Sequence, residues 1–158
     1  APERLQTLTL ADTSSGYPPE AVAGWAERIA GARKNGMAAG VEATIDRWFS
    51  PGFVKSAAAI VDPVRDMIRK TPVEGYCGCG AAIAQLNVTP RLGAIKAPTL
   101  VIVGEDDPGT PVAMSEIMAK GIPGAELVIL PVARHLANLE DPKGFNDALL
   151  AFLKRHAG

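Results

Sequence analysis

Glu105, Asp106 and Asp107, together with His135, are the residues of this chain best suited to proton chemistry. An imidazole titrates near neutral pH, so it can take a proton from a nucleophile and later return it. A carboxylate beside it fixes the tautomer and stabilises the cation that forms. Both kinds of residue sit just past short apolar runs: Thr99–Val103 precedes the acids and Glu126–Leu130 precedes the histidine. Runs rich in Val and Ile suit strands buried on both faces of a parallel sheet. Sites in such sheets form at the carboxyl ends of the strands. An acid and a histidine would therefore emerge on one rim, on neighbouring loops. A lone histidine is usually structural, but this placement favours the catalytic reading of His135. His156, two residues from the last position, reads as solvated.

The elements that must position these groups follow from the same stretch. Thr110-Pro111 reads as a side-chain cap followed by proline at the first helical position. The helix is expected from about Pro111 to Lys120, ended by Gly121 and Pro123. Strand, helix and strand then make one crossover unit. A further strand is expected at Leu5–Ala11, paired on one side with the strand near Thr99 and open on the other. A long apolar edge of that kind invites pairing with another chain. Ala1–Arg4 reads as a helix end or linker, and Asp12–Pro19 as a turn-rich loop.

From Glu20 to about Asn87 the pattern becomes helical and alanine-rich. Val22, Trp25, Ile29 and Ala32 recur at three and four residues, with Gly36 as a stop. A second helix is expected over Met37–Phe49, ended by Ser50-Pro51-Gly52, and a third over Phe53–Val61. Asp62-Pro63 reads as the cap and start of a fourth. Thr71-Pro72-Val73-Glu74 matches a capping box for a fifth, weakened by Gly75. A helical insertion between strands of a parallel sheet has the form of a lid, which excludes water and shapes a pocket. The last helix is expected to be capped by Asp141-Pro142 and to run to about Arg155, with Phe145, Leu149 and Phe152 on one face.

Composition narrows the classes. A chain of 158 residues can bury a real core. Sixteen basic against seventeen acidic residues give no electrostatic case for nucleic acid. Hydrophobic residues make up 47% of the sequence, yet no run approaches membrane-spanning length, and the first residues do not read as a signal peptide. Cys77 and Cys79 are too close to frame a disulfide scaffold, which fits a reducing cytoplasm. With only His135 and His156 to add nitrogen ligands, the residues give no case for zinc.

Four segments carry a family resemblance. G-E-D-D-P-G-T-P and A-R-H-L-A-N-L-E, with R-W-F-S-P-G-F and E-G-Y-C-G-C-G-A-A-I upstream, resemble the 3-oxoadipate enol-lactone hydrolases. These are α/β-hydrolases of aromatic-compound catabolism. The likeness runs from Pro2-Glu3-Arg4 to the C-terminus. The acid and histidine segments indicate only the superfamily, whose triad runs Ser, Asp, His along the chain. The R-W-F and G-Y-x-G-C segments make the lactonase reading more specific. The family's spacing puts its acid three residues after the glycine and three before Thr-Pro, so Gly104 and Thr110 both point to Asp107. Glu105 and Asp106 are then solvated loop charges. Trp48 lies where the family turns a cap helix toward its pocket, and is a candidate pocket wall as well as a packing residue. Trp25, Tyr76, Cys77 and Cys79 read as packing within the cap. Arg134 departs from the family, which has a small residue before the histidine. It is either a tolerated surface side chain, the favoured account, or a cation for a substrate carboxylate.

The family's nucleophile lies in G-x-S-x-G. None of Ser14, Ser15, Ser50, Ser56 and Ser115 has that setting, and the glycines around Cys77 and Cys79 also miss it. The resemblance implies the later part of an α/β-hydrolase sheet (residues 1–17 and 88–158) with an inserted helical cap (18–87). It implies hydrolysis of an enol-lactone to an open-chain 3-oxo acid by a Ser-His-Asp mechanism, with Asp107 and His135 from this chain, Trp48 and Arg134 toward substrate, and no metal or cofactor. The expected partner is a second polypeptide carrying the nucleophile half, against the Leu5–Ala11 edge, and this chain alone is expected to lack serine-hydrolase activity. Three alternatives stand beside this: another hydrolase of the same fold (esterase, haloperoxidase or acyltransferase), a non-catalytic fragment, and a nucleotide-binding domain. The last lacks a Gly-rich phosphate loop after any expected strand.

Overall fold

Three parallel strands, β1 (Leu8–Ala11), β2 (Thr99–Gly104) and β3 (Glu126–Leu130), lie side by side in the order β1-β2-β3 in the computed structural model, which describes residues 2–156. Leu8 pairs with Thr99 and Leu100 with Glu126, and each register continues along the strands. Every residue of β2 is buried. Its alternate side chains enter two cores. Leu100 and Ile102 join Leu130, Ala133, Ala137 and Phe152, and Val101 joins Leu92, Met118 and Ile122. A central strand covered on both faces has no polar side, which is why its sequence is continuously apolar rather than alternating. β3 was expected to share that burial, but it is an edge strand. Leu130 alone is buried in it and Ile129 is 42% exposed.

β1 is also shorter than the expected Leu5–Ala11, and Leu5 is exposed. In parallel register Thr7 would face Pro98, which has no N–H to give the ladder. The pairing accordingly starts at Leu8, whose N–H donates to Pro98 O at 2.9 Å. The expected linker at the start is a 3₁₀ turn over Pro2–Arg4; Ala1, like positions 157 and 158 of the expected core range, lies outside the described residues.

Chain contacts divide the molecule into two compact units. The second comprises Gly16–Asp46 and Pro51–Asn87, and Arg47–Ser50 counts with the sheet. It is built from α1 (Pro19–Asn35), the first six residues of α2 (Val41–Trp48), α3 (Pro51–Ser56), α4 (Ala58–Lys70) and α5 (Val73–Ala84). Gly36 ends α1 with φ 75°, a conformation glycine adopts without steric cost, and its N–H donates to Ala32 O. On α5, Gly80 lets Trp25 of α1 approach so closely that a Cβ there would lie 3.0 Å from the indole.

Four expected boundaries differ. Met37–Gly40 is a 3₁₀ turn before α2, and Pro51 begins α3 rather than ending its predecessor. Pro63 lies inside α4 instead of opening a helix, and Asp62 pairs with Arg65 at 2.9 Å. Burial of Val61, Val64 and Ile68 on one face carries the helix through the proline. The capping box at Thr71 is not formed: Pro72 holds the N-cap, and the Thr71 hydroxyl donates back to Met67 O at 3.0 Å. Glu74 instead pairs with Arg33.

In the sheet unit, α6 (Val112–Gly121) follows β2, and α7 (Ala137–Glu140) and α8 (Pro142–His156) follow β3. The cap expected at Asp141 is present, since Asp141 Oδ1 accepts the Gly144 N–H at 2.9 Å. Phe145, Leu149 and Phe152 of α8 pack into one core as expected. Among the described residues no helix is long and apolar enough to cross a membrane.

Candidate functional site

β2 ends at Gly104 and β3 at Leu130, and the two loops that follow are joined by their backbones. Glu105 N–H donates to Leu130 O at 2.9 Å and Asp106 N–H to Ala133 O at 3.0 Å. Gly104 makes this possible: a Cβ at that position would collide with the carbonyl oxygens of Ala133 and Arg134. The seam brings Asp107 of the first loop to His135 of the second.

Asp107 Oδ2 lies 2.8 Å from His135 Nδ1. The same oxygen accepts the Thr110 hydroxyl at 2.6 Å, and Oδ1 accepts the N–H groups of Gly109 at 2.7 Å and Thr110 at 3.1 Å. The Asp107 side chain has no exposed surface, whereas that of His135 is 29% exposed. Of the three neighbouring acids the structure brings Asp107 to the imidazole, and Glu105 and Asp106 are exposed.

Burial alone would raise the Asp107 pKa, but hydrogen bonds from His135 and Thr110 outweigh it and hold the carboxyl below its ordinary value. Burial alone would lower that of His135, but the hydrogen bond and charge of Asp107 outweigh it and hold the imidazole above its ordinary value. With Nδ1 donating to the carboxylate, Nε2 is the nitrogen able to exchange a proton with a reacting group. The arrangement is therefore an oriented base whose cation is stabilised in advance.

Thr110 was expected to cap α6. Pro111 takes the N-cap position, and the Thr110 hydroxyl serves the carboxylate instead. The charge-assisted bond to the carboxylate fixes where the hydroxyl lies, so its oxygen does not accept an N–H from the first turn of α6.

Trp48 belongs to the same surroundings. Its ring centroid lies 6.2 Å from that of His135, and its carbonyl accepts the Leu136 N–H at 3.1 Å. Glu140 spans the two segments, accepting the N–H groups of Ser50 and Arg134, both at 2.9 Å. Arg134 is half-buried rather than fully exposed. Among the serines, Ser15 Oγ lies 2.7 Å from Thr89 Oγ1, Ser56 Oγ donates to Gly52 O at 3.0 Å, and Ser115 is fully buried on α6. Cys77 is buried, with Sγ 3.8 Å from Ile29 O, but Cys79 is exposed and does not pack as expected. Two residues along a helix turn the side chain by about 200°, so neighbours at that spacing face opposite ways.

Sequence reasoning passes over Asp12, Thr110 and Glu140 as members of this cluster. The signal for Asp12 was the one used for Asp107, an acid directly after a parallel strand. The turn residues around it, D-T-S-S, masked it.

A sequence profile described as alpha/beta hydrolase fold matches residues 49–142, a span that contains Asp107, His135 and the crossover between them. The chain belongs to the α/β-hydrolase fold family. Within that family it is similar to 3-oxoadipate enol-lactonase 2 of Acinetobacter baylyi, with 35% identity over 98% of this chain and 57% of that protein. The crystal structure of the enol-lactonase from Burkholderia xenovorans LB400 superposes with a TM-score of 0.91 at 31% identity, covering 96% of this chain and 57% of that one. A hydrolase from Pseudomonas aeruginosa PA01 gives a TM-score of 0.90 at 38% identity, covering 97% and 57%. The α/β-hydrolase chain described here thus spans little more than half the length of the relatives it matches, and it is enol-lactonase-like over that span.

Proposed function

We propose that this chain supplies the acid and the histidine of a Ser-His-Asp hydrolase that opens 3-oxoadipate enol-lactone. The observation that carries the reading is the 2.8 Å contact between Asp107 Oδ2 and His135 Nδ1 at the carboxyl ends of adjacent parallel strands. The choice of lactone rests on the similarity to enol-lactonases. The serine is proposed to come from a G-x-S-x-G segment outside these 158 residues, none of whose own serines has that setting.

In the proposed reaction His135 Nε2 takes the proton of the serine hydroxyl as its oxygen bonds to the lactone carbonyl carbon. Collapse of the tetrahedral intermediate breaks the bond from carbonyl carbon to enol oxygen. His135 returns its proton to that oxygen, leaving an acyl-enzyme whose enol becomes the ketone. Water, deprotonated by the same imidazole, then adds to the acyl carbon; the bond from that carbon to the serine oxygen breaks, His135 returns the proton to the serine, and the 3-oxo acid leaves. Asp107 stays ionised throughout and stabilises the imidazolium, which its low pKa supports. Trp48, close to the imidazole, is the proposed pocket wall. The helices of the second unit are the proposed lid.

The test joins this chain to a polypeptide carrying the G-x-S-x-G half and follows lactone consumption. Lactone turnover well above that of simple esters supports the reading, and the reverse order favours a general esterase. Asp107→Asn should lower kcat by roughly 10⁴-fold and His135→Gln by roughly 10⁶-fold. A fluorophosphonate probe should leave this chain unlabelled when it is alone. Arg134 is proposed as the cation that meets the lactone's carboxylate. Arg134→Ala should then raise KM for the anionic lactone and leave that for a neutral ester unchanged, while equal effects on both would make it a packing residue.

A further inference from the structure

Asp12 ends β1 on the same rim, and three observations set it apart from an ordinary turn acid. Its backbone lies in the left-handed region, with φ 44°, a conformation uncommon for a residue with a Cβ but tolerated by Asp. Its Oδ1 accepts the Gly104 N–H at 2.9 Å, at the glycine on which the histidine loop rests. The carbonyls of Ala133 and Arg134, just ahead of His135 in the chain, close on that same glycine. One side chain thus ties the end of β1 to the end of β2, at the glycine against which the segment carrying the imidazole packs.

We infer that Asp12 is a positioning residue, whose carboxylate braces the loops of Asp107 and His135 and adds a second negative charge beside the imidazole. The inference rests on the reading of that pair as acid and base.

The charges facing this cluster come from several elements. Asp107 follows β2, His135 follows β3, and Arg47 stands near the end of α2, where it opposes the imidazolium. Glu140 of α7 holds the Ser50 and Arg134 N–H groups. Burial, and then repulsion from Asp107, push the Asp12 carboxyl up to about 6, against the pull of Gly104, His135 and Ala137. A charge that appears there near neutral pH must be felt by a neighbouring imidazole, because coupled groups titrate together.

The experiment is an NMR titration of this chain that follows the His135 ring protons and the Asp12 side-chain carbon. The wild type should show the Asp12 carbon titrating near 6, with a matching inflection in the His135 curve. Asp12→Asn keeps an oxygen for Gly104 and removes the charge, so it should abolish that inflection and move the His135 midpoint downward. A merely structural Asp12 would alter the melting temperature of the variant and leave the His135 curve unchanged, which would overturn the inference. Should the variant not fold, the wild-type titration decides by itself. A His135 curve with no inflection where the Asp12 carbon titrates would overturn it equally. None of these readouts requires turnover, so the inference and the proposed lactonase activity can fail separately.

Discussion

Four hydrogen bonds converge on the Asp107 carboxylate, and the hydroxyl of Thr110 makes the shortest of them at 2.6 Å. A buried anion without its donors is costly, so the site must spend local residues on keeping that charge. Thr110 is itself buried, and no solvent molecule can easily replace its hydroxyl. Thr110→Val keeps the shape and deletes the donor. It should cost about 1.5–3 kcal/mol in urea unfolding at neutral pH, the range for a hydrogen bond to a charged group. Thr110→Ser should recover most of that. Equal stability of the Val variant and the wild type would mean that the two backbone N–H groups and His135 suffice to hold the carboxylate.

At the scale of elements, the site is a seam between two strand-to-loop transitions, and Gly104 is where the seam closes. Gly104→Ala should destabilise the chain by more than about 3 kcal/mol, because the Cβ would meet two backbone carbonyls that cannot rotate away. Gly24→Ala on α1, with nothing within 4 Å of the added carbon, should stabilise by about 0.5–1 kcal/mol. Paired urea curves would test both signs at once. This contrast also explains what was legible beforehand. β2, β3 and the cap of α8 follow from local pattern and local chemistry, so the sequence carries them. The fate of Thr110 does not, since two local rules compete for one hydroxyl and a buried acid settles the contest. Pro63 is similar: proline reads as a helix start, but an apolar face at Val61, Val64 and Ile68 overrides it. Asp107 was separable from Glu105 and Asp106 only through the family spacing, because the strand pattern alone offers three adjacent acids. The role of Asp12 depends on strand order and on the approach of a distant loop, which no local window contains.

At the scale of the whole chain, the three shifted groups at the rim give stability a definite dependence on pH. Asp107 is held below its ordinary 3.8, so its contribution is present above that value and is lost as pH falls through the lower folded pKa. Asp12 is raised from 3.8 to about 6, so the folded chain keeps a proton that the unfolded chain releases, and stability falls as pH rises between those values. His135 is raised above 6.5, so its contribution is present below 6.5 and is lost as pH rises through the folded value. All three therefore favour mildly acid conditions, and urea midpoints should be highest near pH 4 and decline toward pH 8. Asp12→Asn should flatten the part of the decline between about 4 and 6, and His135→Gln the part above about 6.5. The exposed ion pairs, such as Arg33 with Glu74, add little to this curve, because solvent screens them and their arginines do not titrate in the range. A wild-type midpoint that rises between about pH 4 and 6 would mean that Asp12 is ionised in the folded chain at ordinary acidity, and that its carboxylate is better solvated than its place between Gly104, Ala137 and His135 implies.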